Sequence, residues 1–215
     1  MRRNSIGNHS ERSYLVGREW RGRGHSAGIE AGGHRGMFLT DDIATQPSTF
    51  SLVPQIADAV SIPVIAAGGI GDGRGIAAAF ALGAAGEQLG SAYLRCPESK
   101  VIDAARAIMA MANDEATVIT NLMTGRPARG VYNRVMREVG PISSDAPVFP
   151  HSATALAPLR IASEKLGKVD FTNLWAGQAL PLSREIAAGE LTRILANDAL
   201  QRLAQMGNRS ECTRS

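Results

Sequence analysis

An α/β fold is the class this chain predicts, and three observations carry the expectation. Short apolar runs rich in β-branched residues alternate with Ala-rich stretches of helical spacing, which is the order of βα units. Three glycine-bearing segments follow one another: Gly28-Ile-Glu-Ala-Gly-Gly-His-Arg-Gly36, Ile62-Pro-Val-Ile-Ala-Ala-Gly-Gly-Ile70 and Gly86-Glu-Gln-Leu-Gly-Ser91. The last two read as a buried strand ending in glycine. Finally, 215 residues of 44% hydrophobic and 20% charged composition suffice for a core and are ordinary for a globular chain.

Residues 1–28 mix Gly, Arg, Asn, Ser and His with neither period 2 nor period 3.6, so they are expected to be a disordered or non-native leader. The character changes at Ile29. Leu52–Val60 sets Val53, Ile56 and Val60 at helical spacing, and Ile62–Ile65 is a strand ended by Gly68-Gly69. Gly75–Leu82 is an Ala-rich helix closed by Gly83, a residue suited to the position after a helix end. A second strand is expected over Gly86–Leu94, its Gly90-Ser91 turn matching Gly68-Gly69 in place. Residues 98–112 form an amphipathic helix through Val101, Ala105, Ile108 and Met111. Ile119–Met136 reads as two helical segments around a polar turn, Thr124-Gly-Arg-Pro-Ala-Arg-Gly130. Pro141, Pro147 and Pro150 mark a loop. Leu156–Leu166 and Ser183–Met206 are the closing helices, the last with Leu191, Ile194, Leu195 and Leu203 on its apolar side. The division is then a leader over 1–28, an α/β part over 29–97, a helical portion over 98–206 and a disordered tail over 207–215.

The formal net charge of +3 is concentrated at one end. Six arginines and two glutamates fall within residues 1–28, leaving 17 basic and 18 acidic residues in the body. The body therefore makes no general electrostatic case for nucleic acid or a membrane surface. No stretch reaches the roughly 18 apolar residues of a spanning helix. Cys96 and Cys212 lie far apart without metal-ligand spacing, so a reduced, cytoplasmic protein without disulfide or metal is expected.

Five motifs in register carry a resemblance: Glu30-Ala-Gly-Gly-His-Arg-Gly36, Pro63-Val-Ile-Ala-Ala-Gly-Gly-Ile70, Gln88-Leu-Gly-Ser-Ala-Tyr-Leu94, Thr124-Gly-Arg-Pro-Ala-Arg129 and Leu174-Trp-Ala-Gly-Gln178. From Ile29 to about Met206 the chain resembles the nitronate monooxygenases, formerly called 2-nitropropane dioxygenases, which share a fold with flavin-dependent enoyl-ACP reductases. The resemblance implies the last strands and helices of an FMN-binding (β/α)8 TIM barrel, incomplete here, with a C-terminal helical portion. It implies that Gly68, Gly69, Gln88, Leu89, Gly90 and Ser91 cradle the FMN phosphate, where a Cβ would hold the backbone donors away. The bland reading of the same residues is a pair of strand-end turns. His34 matches the catalytic histidine, able to take a proton beside a nitro group or to hydrogen-bond a nitronate oxygen. Gly32 and Gly33 would let its loop pass close to the flavin. The implied reaction is FMN-dependent oxidation of an alkyl nitronate or nitroalkane with O2 to a carbonyl compound and nitrite. A flavin-dependent enoyl-ACP or NAD(P)H:quinone reductase, or an inactive gene remnant, stays open as an alternative, as does the oligomeric state. Arg126 and Arg129 read equally well as surface charges at helix ends, Tyr132 and Trp175 as packing, and Gln178 as a contact at the mouth of the site. His9, His25 and His151 have no motif around them and read as solvent-facing.

The chain also departs from that family. A (β/α)8 barrel typically occupies about 250 residues, whereas two strands are expected here and the leader stands where two earlier ones belong. With suitably chosen synonymous codons, reading Leu15–Gly28 one base later gives W-L-E-G-N-G-A-D-A-V-I-A-Q-G, and Ile6–Ser10 gives S-A-T-T-V. The expectation is a one-base frameshift just before Ile29, in the gene or its sequencing, with an unbroken upstream frame as the contrary outcome. Glu87 is a second departure, a carboxylate at a strand position where a small or apolar residue is expected.

Overall fold

The structure, a computed structural model, describes residues 24–36, 40 and 42–209. Its six strands form two three-stranded sheets. The first is parallel, in the order β1 (Gly24–Ala27), β3 (Val64–Ala67), β4 (Gly86–Gln88). The second is antiparallel, in the order β2 (Gly33–His34), β6 (Ala128–Val131), β5 (Thr117–Thr120).

Between β3 and β4 runs α2 (Gly73–Ala81), and before β3 runs α1 (Thr49–Ala59). Each start is capped by a short polar side chain: Ser48 accepts from the Ser51 N–H, and Asp72 from the Arg74 and Gly75 N–H groups. The end of α2 is a paired-bond C-cap. Gly83, at φ +96°, donates to Phe80 O while Ala84 donates to Ala79 O. The long helix α6 (Ala188–Arg209) completes one core with Leu191, Leu195 and Ala199, packed with Val53, Ala66, Ile76, Ala79 and Cys96. A second core gathers Ala105 and Met109 of α3 (Asp103–Ala110) with Val131, Leu174, Ala176 and Leu180. A third joins Leu122 and Met123 to Val135 and Met136 of α4 (Arg134–Val139). The remaining helix, α5 (His151–Lys165), closes the segment after the proline loop.

Several expectations change. Gly24–Ala27 is strand rather than coil, in parallel register with Val64–Ala67, because ladder pairing uses only backbone groups and tolerates a poor strand sequence. Residues 1–23, with His9 and the proposed frameshifted text there, lie outside the described residues, and His25 is half-buried in β1. The second strand stops at Gln88, and Ser91–Tyr93 turns as a 3-10 segment instead. Around the turn at 124–127 the two flanking segments are antiparallel strands, Thr117↔Val131 to Thr120↔Ala128, not helices. The run Thr-Val-Ile-Thr is β-branched throughout, which favours the pleated surface over a helix. The helix over 98–112 shrinks to α3, and the portion over 98–206 holds most of a sheet as well as helices. The helix expected to stop at Met206 continues to Arg209, so the start of the expected tail is helical, and residues 210–215 lie outside the described residues.

Candidate active site

The carboxyl ends of β1, β3 and β4 open onto a cleft of about 340 Å³. Its walls come from three places: Glu30–Gly33 after β1, Gly68–Ile70 after β3, and Gln88 at the end of β4 with Gly90 and Ser91 after it, closed by Trp175–Gly177. Ligands of open parallel sheets bind at this end of the strands. Of the expected cofactor residues, Gly32, Gly33, Gly68, Gly69, Gln88, Gly90 and Ser91 line the cleft. Leu89 does not, because its side chain packs into the core beneath the sheet. The backbone N–H groups of Gly69, Gly90 and Ser91 have no hydrogen-bond partner among the described residues. Ser91 Oγ accepts from the Gly177 N–H at 2.7 Å and keeps its own proton to donate.

Glycine is required where the walls meet. An added Cβ on Gly32 would stand 2.6 Å from the Ala176 carbonyl carbon, and one on Gly177 would stand 2.6 Å from Glu30 O. Gly68 combines φ +96° with a Cβ position 2.8 Å from the Ala31 nitrogen. The backbones therefore cross at distances that no side chain permits.

His34 ends β2 beside Gly33 and Trp175, which line this cleft, while its own side chain lies outside the lining. Its ring centroid is 5.4 Å from that of Trp175 and meets Phe149 edge-on at 6.0 Å. His34 Nε2 is 2.9 Å from Thr124 Oγ1. The imidazole keeps an open edge to solvent. Partial burial by the two aromatic rings, followed by the Arg126 charge, holds its pKa below the ordinary 6.5 and favours the neutral base.

The loop that carries His34 is tied down by two buried arginines. Arg35 donates to the carbonyls of Gly28, Ile29 and Ala31. Arg129 donates from Nε to Ile29 O at 3.0 Å and from Nη1 to Thr117 O at 3.2 Å. Burial, then Arg129 beside it, pulls Arg35 down to about 10, still protonated at neutral pH, and Glu30 offsets part of the repulsion. Glu30 in turn accepts from the Thr49 N–H and hydroxyl at the start of α1. Arg129 is thus no surface charge: it lies in the middle of β6 and is buried. Arg126 is exposed but sits in the turn between β5 and β6, not at a helix end; His151 is exposed, as expected, and so is the side chain of Gln178, whose backbone N–H bonds Glu30 O. Tyr132 is exposed with the Arg137 guanidinium over its ring, and Trp175 is half-buried between core and cleft. Arg35, Thr124 and Phe149 went unread as site residues, and Arg129 reads in the sequence equally well as a surface charge. Only the place of Arg35, Thr124 and Arg129 within the quoted motifs gave any sign of them.

Glu87 has a buried Oε1 without a hydrogen-bond partner, and burial raises its pKa above the ordinary carboxyl value. It shares a cross-strand row with Ala66 and Ser26, whose buried hydroxyl is also unpartnered.

Fold and site together define an α/β protein with a glycine-lined cleft at the carboxyl ends of parallel strands and a titratable histidine beside it. The family model for nitronate monooxygenase matches residues 26–198, and the chain belongs to that family, which is a family of oxidoreductases. Relatives named "Probable nitronate monooxygenase" include one from Staphylococcus aureus (strain MSSA476), 39% identical over 175 residues, covering 81% of this chain and 49% of the relative. Another, from Staphylococcus saprophyticus, is 39% identical over 76% of this chain and 47% of the relative. Among solved structures, nitroalkane oxidase from Streptomyces ansochromogenes superposes with a TM-score of 0.79 at 37% identity, covering 86% of this chain and 53% of that one. FabK from Thermotoga maritima follows at 0.70 and 28%, covering 87% and 57%. The chain spans about half the length of the curated relatives it matches.

Proposed function

We propose that this chain is the C-terminal part of an FMN-dependent enzyme that oxidises alkyl nitronates with O2 to a carbonyl compound and nitrite. The observation that carries the reading is the ring contact of His34 with Trp175, which itself lines the glycine-built cleft. On this reading β1, β3 and β4 are the last three strands of a (β/α)8 barrel.

The residues present suit a flavin phosphate. Gly69, Gly90 and Ser91, whose backbone donors have no partner among the described residues, line the cleft with the Ser91 hydroxyl, and a Cβ at Gly68 would crowd its edge. Backbone N–H groups at strand ends are apt anion ligands because they need no counter-charge of their own. Bound there, FMN would supply the two-electron acceptor for substrate and the site of reoxidation by O2. His34, kept neutral, takes a proton from the carbon next to a nitro group or donates to a nitronate oxygen. Trp175 and Phe149 give the alkyl part of the substrate an apolar wall and keep water from one side of the imidazole. A small nitronate or nitroalkane and O2 are therefore the partners. Nothing in the body favours nucleic acid, and among the described residues no helix is long and apolar enough to cross a membrane. A cytoplasmic location is proposed on the same footing.

The test is nitrite release from an alkyl nitronate by this chain with excess FMN, run beside NAD(P)H oxidation with a quinone and with an enoyl thioester. Nitrite formation abolished by His34→Gln supports the proposal. NAD(P)H oxidation without nitrite would instead assign the reductase chemistry, and silence in both assays would favour an inactive remnant.

A further inference from the structure

Thr124 closes the turn ahead of β6, and its hydroxyl oxygen makes three polar contacts at once. His34 Nε2 is at 2.9 Å, the Arg126 carbonyl at 3.3 Å and the Arg126 backbone N–H at 3.4 Å. A hydroxyl has one proton to give and two lone pairs to receive. If it donates to the Arg126 carbonyl, one lone pair takes the Arg126 N–H and the other takes a proton from His34, so every contact is a hydrogen bond. If it donates to His34 instead, the carbonyl contact is lost. The first arrangement requires the imidazole proton on Nε2, which is also the form a free neutral imidazole prefers. Nδ1 then carries the lone pair, and it has no partner among the described residues.

Two aromatic rings and a buried hydroxyl border the imidazole. Trp175 lies against it at 5.4 Å and Phe149 stands edge-on at 6.0 Å, while Thr124 itself is buried. We infer that Thr124 is a positioning residue that fixes His34 as the Nε2–H tautomer and leaves Nδ1 as the atom that takes the substrate proton. The inference rests on the proposed role of His34 as base. With a neutral nitroalkane, the bond from the α-carbon to its hydrogen breaks and the proton passes to Nδ1. The electron pair stays with the substrate as the C=N bond of the nitronate anion, and the imidazolium keeps its Nε2–H on Thr124. No electron is transferred in this step.

The tautomer is read directly from two-bond proton–nitrogen correlations of the 15N-labelled full chain at pH 8, with His34 assigned by its loss in His34→Gln. A protonated Nε2 and a bare Nδ1 are expected. Thr124→Val, which keeps the shape and removes the hydroxyl, should add a population protonated at Nδ1, and Thr124→Ser should restore the single form. Wild-type protein protonated at Nδ1 overturns the inference, and so does a spectrum unchanged in Thr124→Val. In turnover, Thr124→Val should lower kcat on a neutral nitroalkane on the order of 100-fold, within the range of a positioned base. A preformed nitronate, which needs no proton removed, should be affected far less. Equal falls on both substrates mean a structural role and also overturn it. Should no variant turn over either substrate, the proposed function fails while the nitrogen spectrum still decides the tautomer.

Discussion

Partial burial of His34, and after it the nearby Arg126 charge, disfavour its charged form. Its titration midpoint should therefore lie below 6.5 when followed by NMR, with His34→Gln identifying the resonance. On the proposed function the neutral form is the base, so turnover of a nitroalkane should fall as pH drops through that midpoint and stay level above it. A midpoint above 6.5 would remove the reason for placing a base here. Glu87 titrates in the opposite sense. Its folded pKa is raised above that of the unfolded chain, so it favours folding most at acid pH and loses that contribution as pH rises through the folded value. Glu87→Gln, which leaves the unpartnered oxygen but removes the charge, should stabilise the protein at pH 7 by roughly 1 kcal/mol, reduced by the part of the side chain that reaches water. In thermal melts that is a rise of about 2–4 °C, vanishing below pH 4.5. At this scale the legible residues were those whose chemistry is local, a histidine in a glycine loop and glycines at strand ends. Arg35 and Arg129 were not legible, because nothing in a linear order says which arginine will fold back onto the carbonyls of Gly28, Ile29 and Ala31.

Between elements, the decisive contact is the crossing of the 28–33 loop over Ala176-Gly177. Gly32→Ala puts a methyl group into backbone atoms at 2.6 and 2.7 Å, which cannot swing aside as a long side chain would. The loop must shift and take His34 with it. A loss of about 2–3 kcal/mol in denaturant melts is expected, as for an overpacked core site. Trp175 emission in a Trp20→Phe background should change as the histidine moves away. Gly33→Ala is the control: its φ of +79° is strained but its Cβ would meet nothing within 4 Å, so about 1 kcal/mol and an unchanged emission are expected. Equal effects would mean that the crossing is not what holds the loop. The parallel strands and their helices were readable because each is a local pattern with its own cap, as Asp72 and Gly83 illustrate. The antiparallel sheet was not. Its middle strand carries Arg129 on a buried face, a polarity that argues for turn or helix until the carbonyls it serves are known. Likewise β1 has almost no strand propensity and is recognisable only from the β3 edge that pairs with it.

As a whole, the molecule presents one wall of a site and a sheet of three parallel strands. Among the described residues no strand pairs with the outer edge of β1 or of β4, although parallel sheets are ordinarily covered on both faces. On the proposed function, FMN would meet a phosphate rim and little to enclose the ring. Three backbone donors and one hydroxyl make charge-assisted bonds, but association itself costs at least several kcal/mol. A dissociation constant of roughly 0.1–1 mM is the balance, equivalent to about 4–5.5 kcal/mol. The isolated chain should therefore elute colourless from gel filtration yet quench FMN fluorescence at high protein concentration. Riboflavin, which lacks the phosphate, separates the two ways of achieving this. If the rim formed by Gly69, Gly90 and Ser91 is what binds, riboflavin should bind at least about tenfold more weakly, a difference of about 1.4 kcal/mol. Equal affinities would show that the ring is held by the Trp175 wall and that the phosphate reading of the glycines is wrong. A stoichiometric yellow protein would mean that the cleft lined by Gly68, Gly69, Gly90, Ser91 and Trp175 encloses the flavin by itself.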